Sequence, residues 1–265
     1  TRMSSPGCLM LRRLDLNSDM GERDSAEGLA LDAALMPLVT SISIACGGHA
    51  GCPDLIRRTA SMAQQYGVSI GAHPGLPDRQ TFGRAEHHLP PAEIQDLVAE
   101  QVMTCHRVLQ SEGLTLRHVK PHGALYNMAA RDENIAEAIV TAVQAIDGSL
   151  LLYALAGSVL ARVGETRGLS VVHEGFADRA YRVDGRLVSR GEEGAVIERE
   201  DRVREQLRRL INGTVMTIER SVVPVSIHSL CLHSDTPQAL VLARMIREEL
   251  ERTGIAVLAA SHVHR

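Results

Sequence analysis

Short apolar runs recur along this sequence, each one following a glycine that closes a segment of helical periodicity. Residues 53–66 end at Gly67 and residues 91–112 end at Gly113, and an apolar run follows each glycine. Glycine is the usual residue just beyond a helix, because it adopts the left-handed conformation at little steric cost. The repetition therefore predicts helices that alternate with strands.

The predicted strands are nearly continuous apolar runs, as expected when helices cover a parallel sheet. Helices are predicted over residues 53–66, 91–112, 132–146, 157–167, 198–212 and 235–253. Strands are predicted over residues 13–17, 40–45, 68–72, 115–120, 149–154, 169–173, 226–232 and 255–259. This alternation indicates parallel pairing in the α/β class, and the number of units favours an irregular (β/α) barrel of about seven parallel strands.

No linker or low-complexity segment divides the 265 residues. We therefore predict one catalytic barrel domain over residues 13–265, preceded by an N-terminal extension over residues 1–12. Residues 177–197 are the least regular part, and we expect them to form an ordered loop or a small hairpin around Asp184 and Gly185.

The charge pattern and the cysteines narrow the class of protein. The formal net charge is −4 and contains no basic block, which argues against nucleic acid or a membrane surface as a partner. The five cysteines lack CxxC spacing and are interpreted as reduced thiols of a cytoplasmic protein. The sequence contains no GxxxxGK[ST] phosphate-binding loop. Its GxSxG match, residues 67–71, runs from a helix stop into a predicted strand, whereas a nucleophile elbow is a turn from a strand into a helix.

Polar clusters follow the predicted strands at equivalent places. In a (β/α) barrel, the loops after the strands share one face, so these clusters are expected to converge on one site. Any one cluster alone is equally consistent with helix caps and turns. The clusters occupy residues 15–22, 46–49, 73–84, 120–127, 174–181 and 233–235.

Lys120 is the only lysine among 28 lysine and arginine residues, and it follows a predicted strand. Lysine offers a compact charge where arginine offers a planar fork. Lys120 is therefore a candidate contact to an oxyanion or a phosphate, and its replacement by arginine is expected to reduce activity while leaving the fold intact.

Histidines and acids in the same clusters could bind a divalent metal ion, since imidazole and carboxylate are suitable ligands for zinc or manganese. The candidate ligands are His49, His73, His122 and His233, together with Asp15 and Asp19. No predicted helix carries these ligands in HxxxH or HExxH spacing, so the sequence alone does not assign a metal.

The clusters, in this order, resemble the LamB/YcsF family of lactam-utilisation proteins, which is also known as the A component of 5-oxoprolinase. The resemblance extends from about residue 14 to residue 258. The matching stretches are residues 15–22, 43–51, 71–78, 82–84, 118–127, 176–181, 231–233 and 235–237. Cys52, Ser234 and Ser43 depart from residues that are usual in the family.

The resemblance implies a barrel related to the glycoside hydrolase/deacetylase fold. It also implies ATP-dependent opening of 5-oxo-L-proline to L-glutamate, with ATP as a co-substrate of a complex with partner subunits B and C. The catalytic residues expected on this basis are Asp15, Asn17, Asp19, Glu22, His49, Lys120 and His122. The substrate-binding residues expected are His73, Arg84, Tyr126, Asn127, Asp178, Arg179, Tyr181, His233 and Asp235.

Within this scheme, Asp19 or Glu22 is expected as general base and His122 as general acid or base, with Lys120 and Arg179 neutralising anionic charge. Two alternatives stay open from the residues. One is a stand-alone metal-dependent amidase or deacetylase, and the other is a non-catalytic protein that only binds the lactam for its partners. These three hypotheses are distinguished by whether turnover requires ATP and by how replacement of Asp19 or Lys120 changes turnover.

Overall fold

The computed structural model describes residues 11–232 and 238–260. Seven parallel strands close into a barrel, in which each pairs with the next along the chain and the last returns to the first. These strands are β1 (Arg13–Met20), β2 (Ser41–Ala45), β3 (Ser69–His73), β4 (His118–Val119), β5 (Leu151–Leu155), β6 (Ser170–Phe176) and β9 (Ser229–Leu232). The predicted α/β class and the irregular seven-strand barrel are confirmed.

Helices connect successive strands and cover the outside of the barrel. They are α1 (Ala26–Leu35), α2 (Pro53–Tyr66), α3 (Pro91–Ser111), α4 (Gly123–Ala129), α5 (Glu133–Asp147), α6 (Val159–Thr166), α7 (Glu200–Ile211) and α8 (Ala239–Arg252). The predicted glycine stop after α2 is confirmed, because Gly67 has a φ of +67° and its N–H bonds back to the last turn. None of the described helices is long and apolar enough to cross a membrane.

Two helices and a hairpin are among the elements that were not predicted from the sequence. Helix α1 carries apolar residues all round and buries Asp32, so it lacks a clean amphipathic pattern. Helix α4 begins at a glycine inside a polar cluster. The third is an antiparallel hairpin of β7 (Thr214–Met216) and β8 (Val222–Pro224), whose strands are too short for a periodic signal.

The predicted strand over residues 255–259 is present as β10 (Ala256–Val257), but it lies outside the closed barrel order and pairs only with the start of β1. Residues 182–186 form the small hairpin expected around Asp184, since Tyr181 pairs with Leu187 in an antiparallel bridge. Strand β1 is longer than predicted and runs to Met20. Residues 15–20 therefore belong to the strand instead of the loop after it.

The barrel wall has an apolar core on its outer side, beneath the helices, and polar side chains on its inner side. Leu14, Leu16 and Met20 of β1 are fully buried in the large apolar cluster between the strands and the helices. The alternate side chains of β1 make polar contacts inside the barrel, because successive residues of a strand point to opposite faces. A small separate apolar cluster of Leu151, Tyr153 and Val172 joins β5 to β6.

Candidate active site

A cavity of about 650 Å³ opens at the carboxyl ends of the barrel strands. Asp19 from the end of β1, His73 from the end of β3 and Phe176 from the end of β6 all line it. Parallel strands end together at one face of a barrel, so residues far apart in sequence meet there. The clusters predicted after successive strands thus supply one cavity.

Lys120 lies in the wall of this cavity and is buried. Its Nζ lies 2.8 Å from Glu174 Oε1, 2.8 Å from Asn17 Oδ1 and 3.0 Å from Asp19 Oδ1. Burial alone disfavours the ammonium, but the neighbouring carboxylates outweigh it and raise the pKa of Lys120 well above its ordinary value. Lys120 is therefore a permanent cation and is unsuited to act as a base.

Glu174 joins Lys120 to the other polar groups of the barrel interior. Its Oε1 accepts from Asn17 Nδ2 at 2.8 Å, and its Oε2 accepts from the Tyr126 hydroxyl at 2.7 Å. The side chain is fully buried. A buried carboxylate needs such donors and a cation, because desolvation of an unpaired charge costs several kcal/mol. Glu174, Asn17 and Tyr126 thus hold the Lys120 ammonium in place.

Asp15 lies deeper in the barrel and does not line the cavity. Its carboxylate accepts hydrogen bonds from the hydroxyls of Ser41, Ser229 and Tyr153. Burial raises the pKa of Asp15, and the hydrogen bonds from these hydroxyls offset only part of that rise. Asp15 therefore organises the interior beneath the site.

Three histidines, His49, His73 and His122, form an imidazole cluster beside the carboxylates. The His49 and His122 rings stack with centroids 3.6 Å apart, and His73 meets both edge-on. Burial lowers the pKa of His49 to about 2 and that of His122 well below its ordinary value. These two rings are therefore neutral near pH 7.

Within the part of the chain that the structure describes, Glu22 makes the shortest carboxylate contact to this imidazole cluster. Its Oε1 lies 3.1 Å from His49 Nε2, 3.5 Å from His122 Nδ1 and 4.0 Å from His73 Nε2. Glu22, His73 and His122 also line the cavity, whereas His49 lies behind them.

Glycines give the imidazole cluster its room. A Cβ at Gly75 would lie 2.5 Å from His49 Nδ1, and a Cβ at Gly83 would lie 2.7 Å from His49 Cβ. Gly83 also has a φ of +66°, which disfavours any side chain. The glycines after β3 thus let the loop backbone press directly against the rings.

The mouth of the cavity is rich in guanidinium groups, and we call this set the arginine rim. It consists of Arg84, Arg131, Arg179, Arg182, Arg186 and Arg190. Several of them have acidic neighbours, as in the pairs Arg131–Glu86 and Arg182–Glu192. The rim is nevertheless richer in cationic than in acidic side chains, so it suits an anionic ligand.

Arg179 differs from the rest of the rim because it is buried. It donates from Nη2 to the Val188 carbonyl at 2.7 Å and from Nε to the Ala195 carbonyl at 3.3 Å. Burial lowers its pKa to about 10, so the guanidinium stays charged near pH 7. Arg179 therefore both fixes the loop over residues 186–196 and contributes charge to the cavity.

The structure brings most of the predicted site residues to the cavity but not all. The lining residues among them are Asp19, Glu22, His73, Arg84, Lys120, His122, Tyr126, Asn127 and Arg179. Those that lie behind the cavity wall are Asp15, Asn17, His49, Asp178 and Tyr181. The Tyr181 hydroxyl accepts from the Phe176 N–H at 2.8 Å, which is a structural contact. His233, Ser234 and Asp235 lie outside the described residues.

Sequence reasoning missed two contributors. Glu174 lies in one of the predicted clusters but was not singled out, although an acid in a buried strand requires a cation and Lys120 is the only lysine of the chain. The Phe82 carbonyl, which lies 2.8 Å from His122 Nε2, gives no side-chain signal. Ser43, a departure from the family pattern, lies 3.2 Å from His118 Nε2 through its Oγ.

The site combines two carboxylates, Asp19 and Glu22, with a fixed cation at Lys120 and neutral imidazoles. Carboxylates can accept a proton from an attacking water, and a buried ammonium can stabilise charge that develops on an oxygen. The fold and the site thus define an enzyme of the parallel (β/α) barrel class with acid–base groups at the carboxyl end.

Comparison with known proteins narrows this class. The sequence profile described as the LamB/YcsF family matches residues 14–265, and this chain belongs to that family. A Methylococcus capsulatus protein, named as the A subunit of 5-oxoprolinase, is 46% identical over 251 residues, which cover 94% of this chain and 96% of that protein. A Bacillus licheniformis protein of the same name is 44% identical, covering 95% of this chain and all of its own length.

Solved structures support the same fold. The lactam utilization protein of Thermus thermophilus superposes with a TM-score of 0.86 at 40% identity, covering 94% of this chain and 100% of that one. The catalytic domain of a peptidoglycan N-acetylglucosamine deacetylase from Eubacterium rectale has a TM-score of 0.52 at 10% identity, covering 98% of this chain and 92% of its own. The second likeness concerns the fold alone and confirms the expected deacetylase-like architecture.

Proposed function

We propose that this chain is the A subunit of an ATP-dependent 5-oxoprolinase, which opens the lactam ring of 5-oxo-L-proline to give L-glutamate. The observation that carries the proposal is the match, over nearly the whole of both chains, to proteins that bear this 5-oxoprolinase name. The cavity at the carboxyl end of the barrel supplies the chemistry that such a reaction needs.

The reaction breaks the ring C–N bond, with the hydroxyl of water going to the carbonyl carbon and a proton going to the nitrogen. A five-membered lactam is a stable amide, so transfer of the γ-phosphoryl group of ATP to its oxygen would activate the ring carbon for attack by water. Breakage of the C–N bond then leaves an acyl phosphate, and a second water releases the phosphate, so that the products are L-glutamate, ADP and inorganic phosphate. Asp19 or Glu22, both in the cavity wall, is the general base for water. Lys120 stabilises the negative charge that develops on oxygen.

The arginine rim receives the anionic parts of the ligand. The substrate carries a carboxylate, and its phosphorylated form carries further charge. Guanidinium groups bind both through paired hydrogen bonds. Tyr126 and Asn127 line the same wall and supply polar contacts for the ring.

Subunits B and C are the proposed partners, and ATP is the co-substrate of the assembled complex in the cytoplasm. The isolated chain is therefore expected to turn over 5-oxoproline poorly or not at all. Purified chain is assayed for glutamate release with and without the subunits encoded by neighbouring genes, in the presence and absence of ATP. Rapid ATP-dependent turnover by the isolated chain would overturn the partner requirement.

A matched pair of variants tests the catalytic role. Asp19→Asn removes a cavity carboxylate and is expected to lower kcat of the complex by roughly 10²–10⁴-fold. Asp54→Asn removes a carboxylate that is 82% exposed on α2, and it should leave the rate unchanged. Turnover without ATP would indicate a stand-alone amidase. Unchanged kcat with weakened substrate affinity in Asp19→Asn would indicate a protein that only binds the lactam.

A further inference from the structure

Two backbone carbonyls determine which ring nitrogens of His73 and His122 carry hydrogen. His73 Nδ1 lies 2.7 Å from the Lys120 carbonyl oxygen, and His122 Nε2 lies 2.8 Å from the Phe82 carbonyl oxygen. A carbonyl oxygen can only accept a hydrogen bond, so each ring directs its N–H there. The other nitrogen of each ring is then the one that can bind a ligand.

Those two remaining nitrogens face each other. His73 Nε2 and His122 Nδ1 are 2.9 Å apart, and because each ring directs its other nitrogen to a carbonyl oxygen, these two nitrogens present lone pairs to each other. Two lone pairs at this distance repel. A positive species between them would turn the repulsion into attraction.

Carboxylate oxygens surround the same point. Asp19 Oδ2 lies 3.3 Å from His73 Nε2, and Glu22 Oε1 lies 3.5 Å from His122 Nδ1. Within the described residues, donor atoms of Glu22, His49, His73 and His122 all lie within 4.8 Å of one another. Lone pairs from two imidazoles and two carboxylates thus converge from different elements of the barrel.

We propose that this cluster binds one divalent transition-metal ion, with His73 Nε2, His122 Nδ1 and the Glu22 carboxylate as ligands. With Glu22 as a ligand, Asp19 is the carboxylate that remains on the cavity side as general base, and its other oxygen lies 3.0 Å from Lys120 Nζ. Ligands about 2.1 Å from a tetrahedral ion lie about 3.4 Å from one another. The donor separations of 2.9–4.0 Å in this cluster span that value.

The surroundings of the ligands have the form that metal sites require. A ligating histidine usually donates its second N–H to a carbonyl or a carboxylate, which fixes the ring and its tautomer. Both His73 and His122 do so. His49 stacks on His122, and its Nε2 lies 3.1 Å from Glu22 Oε1, which orients the carboxylate. Imidazole and carboxylate ligands suit zinc or manganese.

The test measures metal binding by the isolated chain, so it does not depend on ATP, partners or turnover. Tag-free protein is stripped with chelator, dialysed against Zn²⁺ or Mn²⁺ separately, and analysed by elemental mass spectrometry and titration calorimetry. One equivalent of at least one of these ions per chain is expected. Stripped protein that takes up neither ion above background would overturn the proposal.

Variants identify the ligands. Glu22→Gln keeps the shape of a side chain that is only 6% exposed, and His122→Asn removes one of the imidazole ligands. Each change is expected to weaken binding at least about 100-fold. His228→Asn is the control, because His228 is a half-buried histidine outside the cluster. Circular dichroism checks that each variant folds. Binding that survives both ligand variants, or that disappears equally in the control, would refute the assignment.

Discussion

Replacing Lys120 by methionine removes the one ammonium group of the barrel interior while keeping a side chain of similar length. Glu174 is then left fully buried and Asp19 largely buried, without the cation that lies 2.8 and 3.0 Å from them. Removing one partner of a buried ion pair typically costs about 3–5 kcal/mol, because the remaining charge stays desolvated. Methionine fills the space, so a cavity adds little.

The expected result is a loss of about 3–5 kcal/mol in the free energy of unfolding, which corresponds to a fall in Tm of roughly 6–20 °C for a chain of this size. Urea unfolding followed by circular dichroism measures the free energy, and calorimetry measures Tm. The double variant with Glu174→Gln isolates the pair. It should be less destabilised than the two single costs combined, with a coupling of roughly 0.5–3 kcal/mol.

Two results would contradict this account of the buried ion pair. A loss below about 1 kcal/mol in Lys120→Met would be the size found for surface ion pairs, and it would show that water reaches the network. Strict additivity in the double variant would show that Lys120 and Glu174 are not coupled, in spite of their distance.

Three further predictions concern stability. Lys120→Arg, expected from the sequence to leave the fold intact, is now expected to cost about 1–3 kcal/mol by overpacking, and a thermal melt that matches the wild type would contradict this. Burial raises the pKa of Asp32 from 3.8 to about 6, so the folded state holds that proton more tightly and stability falls by roughly 3 kcal/mol as pH rises from about 4 to 6. Asp32→Asn should remove this loss. If the unfolding free energies of the wild type and Asp32→Asn change by the same amount between pH 4 and pH 7, Asp32 is not the cause of the loss. Gly71→Ala places a Cβ 2.1 Å from His118 Nε2 and should destabilise by roughly 1–3 kcal/mol, and the additional change His118→Ala should recover part of that.

The sequence was sufficient for the barrel because its helix stops and apolar runs are local signals. Gly67 ends α2 where expected, and the clusters at residues 73–84 and 120–127 do reach the cavity. Parallel topology then brings strand ends together without any knowledge of side-chain contacts. The resemblance to the family indicated which residues belong to the site but not how they are arranged in space.

Other parts of the site depend on contacts between distant segments. The bond between Asn17 and Glu174 joins residues 157 positions apart, and nothing local to either residue indicates the other. The length of β1 places Asp15 and Asn17 below the cavity, whereas the sequence predicted both in the site. The tautomers of His73 and His122 follow from main-chain carbonyls, whose direction is set only once the loops have folded.

Arg179 holds its loop through main-chain oxygens of Val188 and Ala195, and main-chain oxygens are the same whatever side chain a residue carries. The path of residues 186–196 is therefore largely independent of the side chains that the loop displays at the mouth of the cavity. Mutation can exchange Arg186 or Arg190 for other residues without moving the segment that bears them. Main-chain contacts thus fix the path of this loop, while the side chains that it presents at the mouth of the cavity can be exchanged to change which ligands bind.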